Sequence, residues 1–371
     1  MPSVMICSLV TVVAAGIVGY ARLPPASARA GNCEAVEQRE PLRGKADRAG
    51  ILIGTAVRPG QLSEAAYAAT LAREYNLVEP EDALKWEVLH PRRDLFDFSD
   101  ADRILSFARL HGIKVRGHTL VWTHQNPPWL VNNRFSEAEL LSILHEHISK
   151  VMEHYRGRIF AWDVVNEAVD ETGNLRSSLW YDQPGIGLAQ KGTAYIEQAL
   201  RWAREADPDA LLFYNDGGGE VVNRKSDAVY SMLIDFRRRN IPIDGVGLQM
   251  HLGLDADVTS IARNIQRFSD AGFQVHITEA DVAVAVDHNR RILDPGDLDR
   301  QSRIYEAVLS ACLSQRRCTV FQTWGFTDKY SWINSTSRGI KGAALFFDAQ
   351  YRPKPAYTAA QRVLSRAVNC R

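Results

Sequence analysis

Residues 159–167 read IFAWDVVNE, a mostly apolar run that ends abruptly in two polar side chains. The run Ile159–Val165 is short and rich in β-branched and aromatic residues, as expected of a strand buried on both faces of a sheet. The flanking segments Ser136–Arg156 and Gly192–Ala206 are amphipathic and long enough to form the helices that connect parallel strands. This part of the sequence therefore predicts one strand of a parallel sheet, with a polar end.

Seven further apolar runs of this kind occur along the chain, with helical segments between them. The runs are Ile51–Ala56, Leu77–Glu79, Val115–Val121, Leu211–Tyr214, Gly245–Met250, Val275–Thr278 and Thr319–Thr323. The other helical segments are Ser63–Tyr75, Ser99–His111, Asn223–Asn240, Asp257–Ala271 and Asp299–Ser314. Ser63, Ser99, Ser136 and Asp257 are predicted to cap four of these helices. Eight alternating strand–helix units predict an α/β fold, a single-domain (β/α)8 TIM barrel.

Polar and aromatic residues follow nearly every predicted strand, always at its C-terminal end. They are Glu81, Asp82 and Lys85; His118 and Trp122; Asn166 and Glu167; Asn215 and Asp216; Gln249 and His251; Glu279 and Asp281; and Trp324 and Asp328. Core packing gives no reason for this arrangement, whereas the active site of a (β/α)8 barrel is built from the C-terminal ends of its strands. We therefore expect these side chains to share one site.

The first thirty residues differ in composition from the rest. Met1–Tyr20 is almost wholly apolar, and the segment ends in Ala28-Arg29-Ala30, a small-x-small cleavage site. This pattern predicts a signal peptide over residues 1–30 and a secreted or periplasmic protein; an uncleaved membrane anchor is the alternative. An N-terminal extension over 31–49 and a catalytic domain over 50–371 would follow.

The charge of the chain is balanced. Cleavage after residue 30 removes Arg22 and Arg29 from 44 Lys and Arg, which leaves 42 against 44 Asp and Glu. A near-zero charge without a basic run argues against nucleic acid or an anionic membrane as partner, and suits a neutral polymer. We expect a monomer.

Four cysteines remain after this cleavage, and an even count in an oxidising compartment predicts two disulfides. Cys312 and Cys318 lie close enough to close a local loop, and Cys33 and Cys370 lie at the two ends of the chain. Free thiols in a cytosolic protein are the alternative. No Cys/His cluster has zinc spacing, so neither a metal nor an organic cofactor is expected.

Glu167 and Glu279 each follow an apolar strand directly, where an unpaired carboxylate would be costly. Two carboxyl groups that flank an anomeric carbon are what glycosidic bond cleavage requires. An ion pair that closes the top of the barrel is the structural alternative for either glutamate. Asn166 is suited to a sugar 2-hydroxyl, and His251, held by Asp281, to orienting an ionised Glu279.

Three tryptophans at the strand ends, Trp122, Trp324 and Trp332, are candidate stacking platforms for the apolar faces of sugar rings. Lys85 and His118 would donate to sugar hydroxyls. Trp86, in contrast, is expected in the core or behind the site.

Six stretches resemble the family 10 glycoside hydrolases, the endo-β-1,4-xylanases. They are PEDALKWE (80–87), VRGHTLVW (115–122), WDVVNE (162–167), DGVGLQMHL (244–252), ITEAD (277–281) and WGFTDKYSW (324–332). The resemblance implies a retaining double displacement on a polysaccharide such as xylan, with Glu279 as nucleophile and Glu167 as acid/base. It also implies a local Cys312–Cys318 disulfide. The expected substrate-binding set is Glu81, Asp82, Lys85, His118, Trp122, Gln125, Asn166, Gln249, His251, Trp324 and Trp332, with Asp281 in support.

Three positions depart from the family pattern. Asp82 stands where Asn is usual, Thr123 where His is usual, and Gly217 where Tyr is usual. Asp82 should disfavour acidic sugars nearby, and Gly217 removes an aromatic face. These departures leave two alternatives open: a retaining β-glycosidase of the same family with another substrate preference, and a secreted glycan-binding barrel without turnover.

Overall fold

The computed structural model describes residues 40–369. The predicted signal peptide, residues 31–39 of the predicted extension and the predicted Cys33–Cys370 pairing lie outside these residues. Among the described residues, no helix has both the length and the apolar character needed to cross a membrane.

Eight parallel strands close into a barrel, as predicted. They are β1 (Leu52–Val57), β2 (Leu77–Pro80), β3 (Lys114–Val121), β4 (Ala161–Asn166), β5 (Leu211–Asp216), β6 (Gly245–Leu248), β8 (Gln274–Val282) and β10 (Cys318–Thr323). Neighbours pair in chain order, and β10 closes the sheet because Phe321 pairs with Ile53 of β1 on one side and with Ile277 of β8 on the other. Short strands lie outside this barrel order: β7 (His251–Leu252), β9 (Val284–Ala285) and β11 (Lys341–Gly342).

Helices connect the strands around the outside. They are α1 (Leu42–Ala49), α2 (Ala65–Glu74), α3 (Trp86–Leu89), α4 (Ser99–Leu110), α5 (Pro128–Val131), α6 (Glu137–Tyr155), α7 (Ala194–Ala206), α8 (Arg224–Arg238), α9 (Val258–Asp270), α10 (Asp297–Leu313), α11 (Ile333–Thr336) and α12 (Pro355–Asn369). All seven predicted helices are present. The four-residue helices α3, α5 and α11 and the longer helices α1 and α12 were not predicted, and Leu42, Ala46 and Ala49 of α1 are fully buried. The compact unit that contains the barrel begins at residue 41.

Two predicted N-caps are wrong. Ser63 ends a short 3-10 helix and donates to the Gly60 carbonyl, so α2 begins after Glu64. Ser99 is the first residue of α4, and its backbone N–H and hydroxyl both donate to Asp97. In both places the serine bonds an upstream group in a preceding turn, an alternative that competes with capping. Ser136 and Asp257 cap α6 and α9 as predicted.

The predicted sixth strand, Gly245–Met250, is interrupted. Its sheet pairing ends at Leu248, and Met250 adopts a left-handed conformation with φ of 66°. The chain then resumes sheet pairing in β7 at His251. This kink turns the end of the strand and decides where Gln249 and His251 lie in the site.

The predicted Cys312–Cys318 disulfide is present. It joins the last turn of α10 to the first residue of β10, and the two Cα atoms lie 5.1 Å apart. The bridge lies at the N-terminal end of its strand, away from the strand ends that carry the polar residues.

Candidate active site

A cleft of about 370 Å³ opens at the C-terminal ends of the barrel strands. Both glutamates and all eleven predicted substrate-binding residues line it; Asp281 lies behind it. Three further lining residues were not predicted from the sequence: Arg58, Ser335 and Thr336. Arg58 follows β1, the one strand whose end offered no motif, and the other two lie on the short helix α11.

Glu167 follows the last residue of β4 and lies at the cleft surface with a φ of 54°. Trp122 Nε1 donates to one of its carboxylate oxygens at 3.1 Å, and Gln249 Nε2 donates to the other at 2.8 Å. The carboxylate is therefore held in one orientation, from β3 on one side and from the kink after β6 on the other.

Glu279 lies within β8 and is almost fully buried. Asn215 Nδ2 donates to one carboxylate oxygen at 2.8 Å, and His251 Nε2 lies 3.2 Å from the other. Burial would raise the pKa of Glu279, but the hydrogen bond from His251 and the charges of His118 and His251 outweigh it and lower the pKa from 4.5 to about 2. Glu279 is thus an ionised carboxylate at neutral pH.

His251 bridges two carboxylates. Its Nδ1 lies 2.9 Å from Asp281, and Trp332 Nε1 donates to the same oxygen at 2.8 Å. Burial opposes a charge on His251, but Asp281 and Glu279 together raise its pKa well above 6.5. The predicted supporting role of Asp281 therefore has a geometric basis: Asp281 holds the histidine that holds Glu279.

Asn215 connects the two glutamates. Its Nδ2 donates to Glu279 and also lies 2.9 Å from the amide oxygen of Asn166, whose side chain lies against Glu167. Thr278 donates its hydroxyl to the Asn215 amide oxygen at 2.8 Å, which fixes the amide orientation. Asn215 was predicted at a strand end without a role, because an asparagine at that place in the sequence carries no sign of its partners.

Lys85 lies between two of the predicted sugar platforms. Its ammonium is 5.1 Å from the ring centre of Trp122 and 5.5 Å from that of Trp324. Trp86, by contrast, is buried behind the cleft and donates to the Leu120 carbonyl at 2.7 Å, as predicted for a core residue.

Asp82 belongs to a charge cluster at one side of the cleft. Arg58 contacts Glu81 at 2.8 Å and Asp82 at 2.9 Å, and Lys85 contacts Asp82 at 3.2 Å. Burial would raise the pKa of Asp82, but Lys85 and Arg58 lower it below 3.8. The extra negative charge expected from Asp82 is therefore balanced by Arg58, which no sequence motif pointed to. Gln125 also faces Asp82, at 3.5 Å.

Gly217 makes room for Gln249. A Cβ atom at position 217 would lie 2.3 Å from Gln249 Oε1, although the φ of Gly217 is not in the left-handed region. A side chain at 217 would thus displace the amide that donates to Glu167. The glycine that removes an aromatic face at position 217 therefore also leaves the space that the Gln249 side chain occupies.

Glu79, His118 and Asp163 lie close enough together to suggest a cation site. Arg116 already occupies this position: it pairs with both Asp163 oxygens and with Glu79 at 2.6 Å. His118 Nδ1 lies 2.9 Å from Asp163, which raises the pKa of His118 against the opposing effect of burial. The guanidinium therefore supplies the positive charge that these carboxylates need.

The geometry agrees with the comparison to known sequences. The model of the family described as glycosyl hydrolase family 10 matches residues 41–363. The chain belongs to this family.

Relatives and solved structures of glycosyl hydrolase family 10 cover nearly the whole chain. Endo-1,4-beta-xylanase B of Thermotoga neapolitana is 40% identical over 88% of this chain and 92% of its own length. The crystal structure of native xylanase 10B from Thermotoga maritima superposes with a TM-score of 0.83 at 39% identity, and covers 89% of this chain and 100% of that one. Xylanase 10B from Thermotoga petrophila, solved with xylobiose, gives a TM-score of 0.82 at 38% identity, covering 88% and 98%.

Proposed function

We propose that this protein is a retaining endo-1,4-β-xylanase in which Glu279 is the nucleophile and Glu167 the acid/base. The observation that carries this proposal is the state of Glu279: a buried carboxylate whose pKa is lowered to about 2 by His251 and His118, in the same cleft as Glu167. A nucleophile must be ionised and fixed in place, and both conditions are met here.

In the first step Glu279 attacks the anomeric carbon while the bond to the leaving oxygen breaks. Glu167 gives its proton to that oxygen, so the leaving chain departs as a neutral alcohol. In the second step Glu167, now ionised, takes a proton from water, and this water displaces Glu279 from the sugar. The product keeps its anomeric configuration because each step inverts it once.

The surrounding residues each have a task in this mechanism. Asn215 and His251 hold both oxygens of Glu279, so its attack needs no reorientation. Gln249 and Trp122 hold Glu167 toward the leaving oxygen. Asn166, beside Glu167, is placed to donate to a sugar hydroxyl as positive charge develops at the anomeric carbon.

Xylan is the proposed substrate because the relatives matched over most of the chain are named endo-1,4-beta-xylanases. The cleft supports a sugar polymer, since Trp122, Trp324 and Trp332 provide flat apolar surfaces among hydrogen-bonding groups. We further propose that the signal peptide is cleaved after residue 30 and that the protein is secreted. A polysaccharide substrate would be available to it outside the cell.

The proposal is tested with Glu279→Ala and Glu167→Ala, and with Glu153→Gln on the exposed face of α6 as control. On xylan the control should retain full activity, while Glu279→Ala should lose roughly 10⁴-fold or more in kcat/KM. Azide should then separate the two roles on an activated aryl β-xylobioside. It should yield the α-azide with Glu279→Ala and the β-azide with Glu167→Ala.

Two outcomes would overturn the assignment in different ways. Wild-type protein that binds xylan but releases no reducing sugar from xylan, cellulose or aryl β-xylosides would point to a glycan-binding barrel. Activity on short β-glycosides alone would point to a β-glycosidase with another substrate preference. NMR of the first product formed should show the β-anomer, and an initial α-anomer would exclude retention.

A further inference from the structure

Glu220 is a buried carboxylate that the proposed mechanism does not use. It ends the glycine-rich loop after β5, and only 7% of its surface is exposed. Among the ion pairs formed by residues 40–369, none involves Glu220. Burial raises its pKa, while backbone N–H groups and the nearby charge of His251 act in the opposite direction.

One oxygen of Glu220 joins two chain segments. It accepts from Gly218 N at 3.1 Å, within its own loop, and from Met250 N at 3.2 Å, in the kink after β6. The Glu220 carboxylate thus supplies an acceptor to a backbone N–H at the point where the strand is interrupted.

Met250 needs such support. Its φ of 66° lies in the left-handed region, which is unfavourable for a residue with a Cβ atom, and its side chain is fully buried. Its carbonyl accepts from Asp281 N at 3.2 Å, so β8 holds the carbonyl of this residue and Glu220 holds its N–H.

The residues on either side of Met250 are the partners of the two glutamates. Gln249 donates to Glu167 at 2.8 Å, and His251 lies 3.2 Å from Glu279. A change in the backbone angles of Met250 would move both side chains together. A displacement of about 1 Å in such groups is enough to cost up to about a hundred-fold in rate.

We propose that Glu220 is a positioning residue for the reaction: by holding Met250 N–H it keeps Gln249 and His251 aligned on the two catalytic carboxylates. This inference rests on the proposed roles of Glu167 and Glu279. It assigns Glu220 no contact with substrate and no proton transfer.

The test compares Glu220→Ala, Glu220→Gln and Glu220→Ala combined with Met250→Gly. Glu74→Ala is the control for loss of a buried carboxylate, since Glu74 accepts from Leu42 N and Tyr357 far from the cleft. Met250→Gly alone controls for the lost side chain. The readout is the pH profile of kcat/KM on an aryl β-xylobioside, taken well below the unfolding temperature of each variant.

Glu220→Ala should lower kcat/KM by about ten-fold or more, and should move the acid limb to higher pH as His251 loses its hold on Glu279. Glu220→Gln keeps an acceptor oxygen and should stay within about three-fold of wild type. Met250→Gly should partly restore the double variant, because glycine adopts the left-handed conformation without help.

An acid limb unchanged in Glu220→Ala would overturn the inference, as would a shift of the same size in Glu74→Ala. Absence of any recovery on adding Met250→Gly would do the same. If the wild type cleaves no β-xyloside, the proposed function fails separately. An NMR titration of His251 then decides the positioning role: its pKa should fall more in Glu220→Ala than in Glu220→Gln, which removes the charge but keeps the acceptor, and an equal change in both variants would refute the role.

Discussion

At the scale of single residues, Glu279 shows how neighbours reverse the effect of burial. A carboxyl group removed from water normally binds its proton more tightly, yet here His251 and His118 lower its pKa to about 2. His251 can do so because Asp281 keeps it charged. The sequence placed His251, Glu279 and Asp281 at strand ends. That Asp281 pairs with His251, and His251 with Glu279, is known only from the distances of about 3 Å between their side chains.

His251→Gln should move the acid limb of kcat/KM to higher pH. The pKa of Glu279 in the folded protein is lowered from 4.5 to about 2. The contribution of its charge to the stability of the fold is therefore present above pH 4.5 and is lost as the pH falls toward 2, where the carboxylate takes up its proton. Without His251 the effect of burial prevails and Glu279 takes up its proton at higher pH. The measurement is a pH profile between 3 and 8, with His145→Gln on the exposed face of α6 as control. An unshifted limb would contradict the role given to His251.

Asp82→Asn should favour acidic sugars. At pH 8, above the pKa of about 7 to which burial raises Glu81, the carboxylates of Glu81 and Asp82 balance Arg58 and Lys85; the substitution then leaves one positive charge in excess. One added charge about 8 Å from a uronate at an effective dielectric of about 40 is worth about 1 kcal/mol, or roughly five-fold. The kcat/KM ratio for glucuronosyl-substituted over plain xylo-oligosaccharides should rise by this factor. The exposed Asp100→Asn should leave the ratio unchanged, and an unchanged ratio in Asp82→Asn would contradict the charge balance assigned to Asp82.

At the scale of elements, local signals predicted which segments are helices and strands better than where they begin. Ser136 caps α6 in a capping box with Glu139, as its spacing predicts. Ser63 and Ser99 look equivalent in the sequence, but their hydroxyls bond Gly60 and Asp97 instead. A serine that has a competing upstream acceptor therefore makes a poor marker of a helix start.

The Cys312–Cys318 disulfide should stabilise the fold without affecting catalysis. It joins α10 to β10 across a sequence separation of six, for which the chain-entropy relation gives about 2 kcal/mol. Cys312→Ala with Cys318→Ala should lower the free energy of unfolding in urea by this amount, and kcat/KM on xylan should remain unchanged. A reduced wild-type sample serves as the matched control, and a loss of activity in the folded variant would contradict the prediction.

At the scale of the whole molecule, the barrel interior is not purely apolar. Arg116 is fully buried and pairs with Glu79 and Asp163, and Asp163 in turn contacts His118 at the floor of the cleft. These residues come from β2, β3 and β4, so the cluster exists only when neighbouring strands are in register. The same ion pairs thus stabilise the barrel interior and, through His118, contribute to the charge of the site.

Arg116→Met should destabilise the fold by about 3–5 kcal/mol, because it removes the cation shared by two buried carboxylates and leaves Glu79 unpaired and Asp163 with His118 alone. Urea unfolding at pH 7 measures the loss. Arg116→Met combined with Glu79→Gln should lose less than the single variant, since one unpaired charge is removed. If the double variant lost as much free energy of unfolding as the single variant, or more, the loss would come from packing rather than from the unpaired charge.

The sequence by itself determined the eight strand–helix units and the end of the barrel at which chemistry occurs. Both follow from short-range patterns: apolar runs of strand length, amphipathic helices, and polar residues just after each strand, such as Asn166 and Glu167 after β4. The tertiary structure alone decided the balance of Asp82 by Arg58, the kink at Met250 and its support by Glu220. Those contacts join segments about 25 to 30 residues apart through the pairing of neighbouring strands, β1 with β2 and β5 with β6, and nothing in the local pattern around either partner encodes the other.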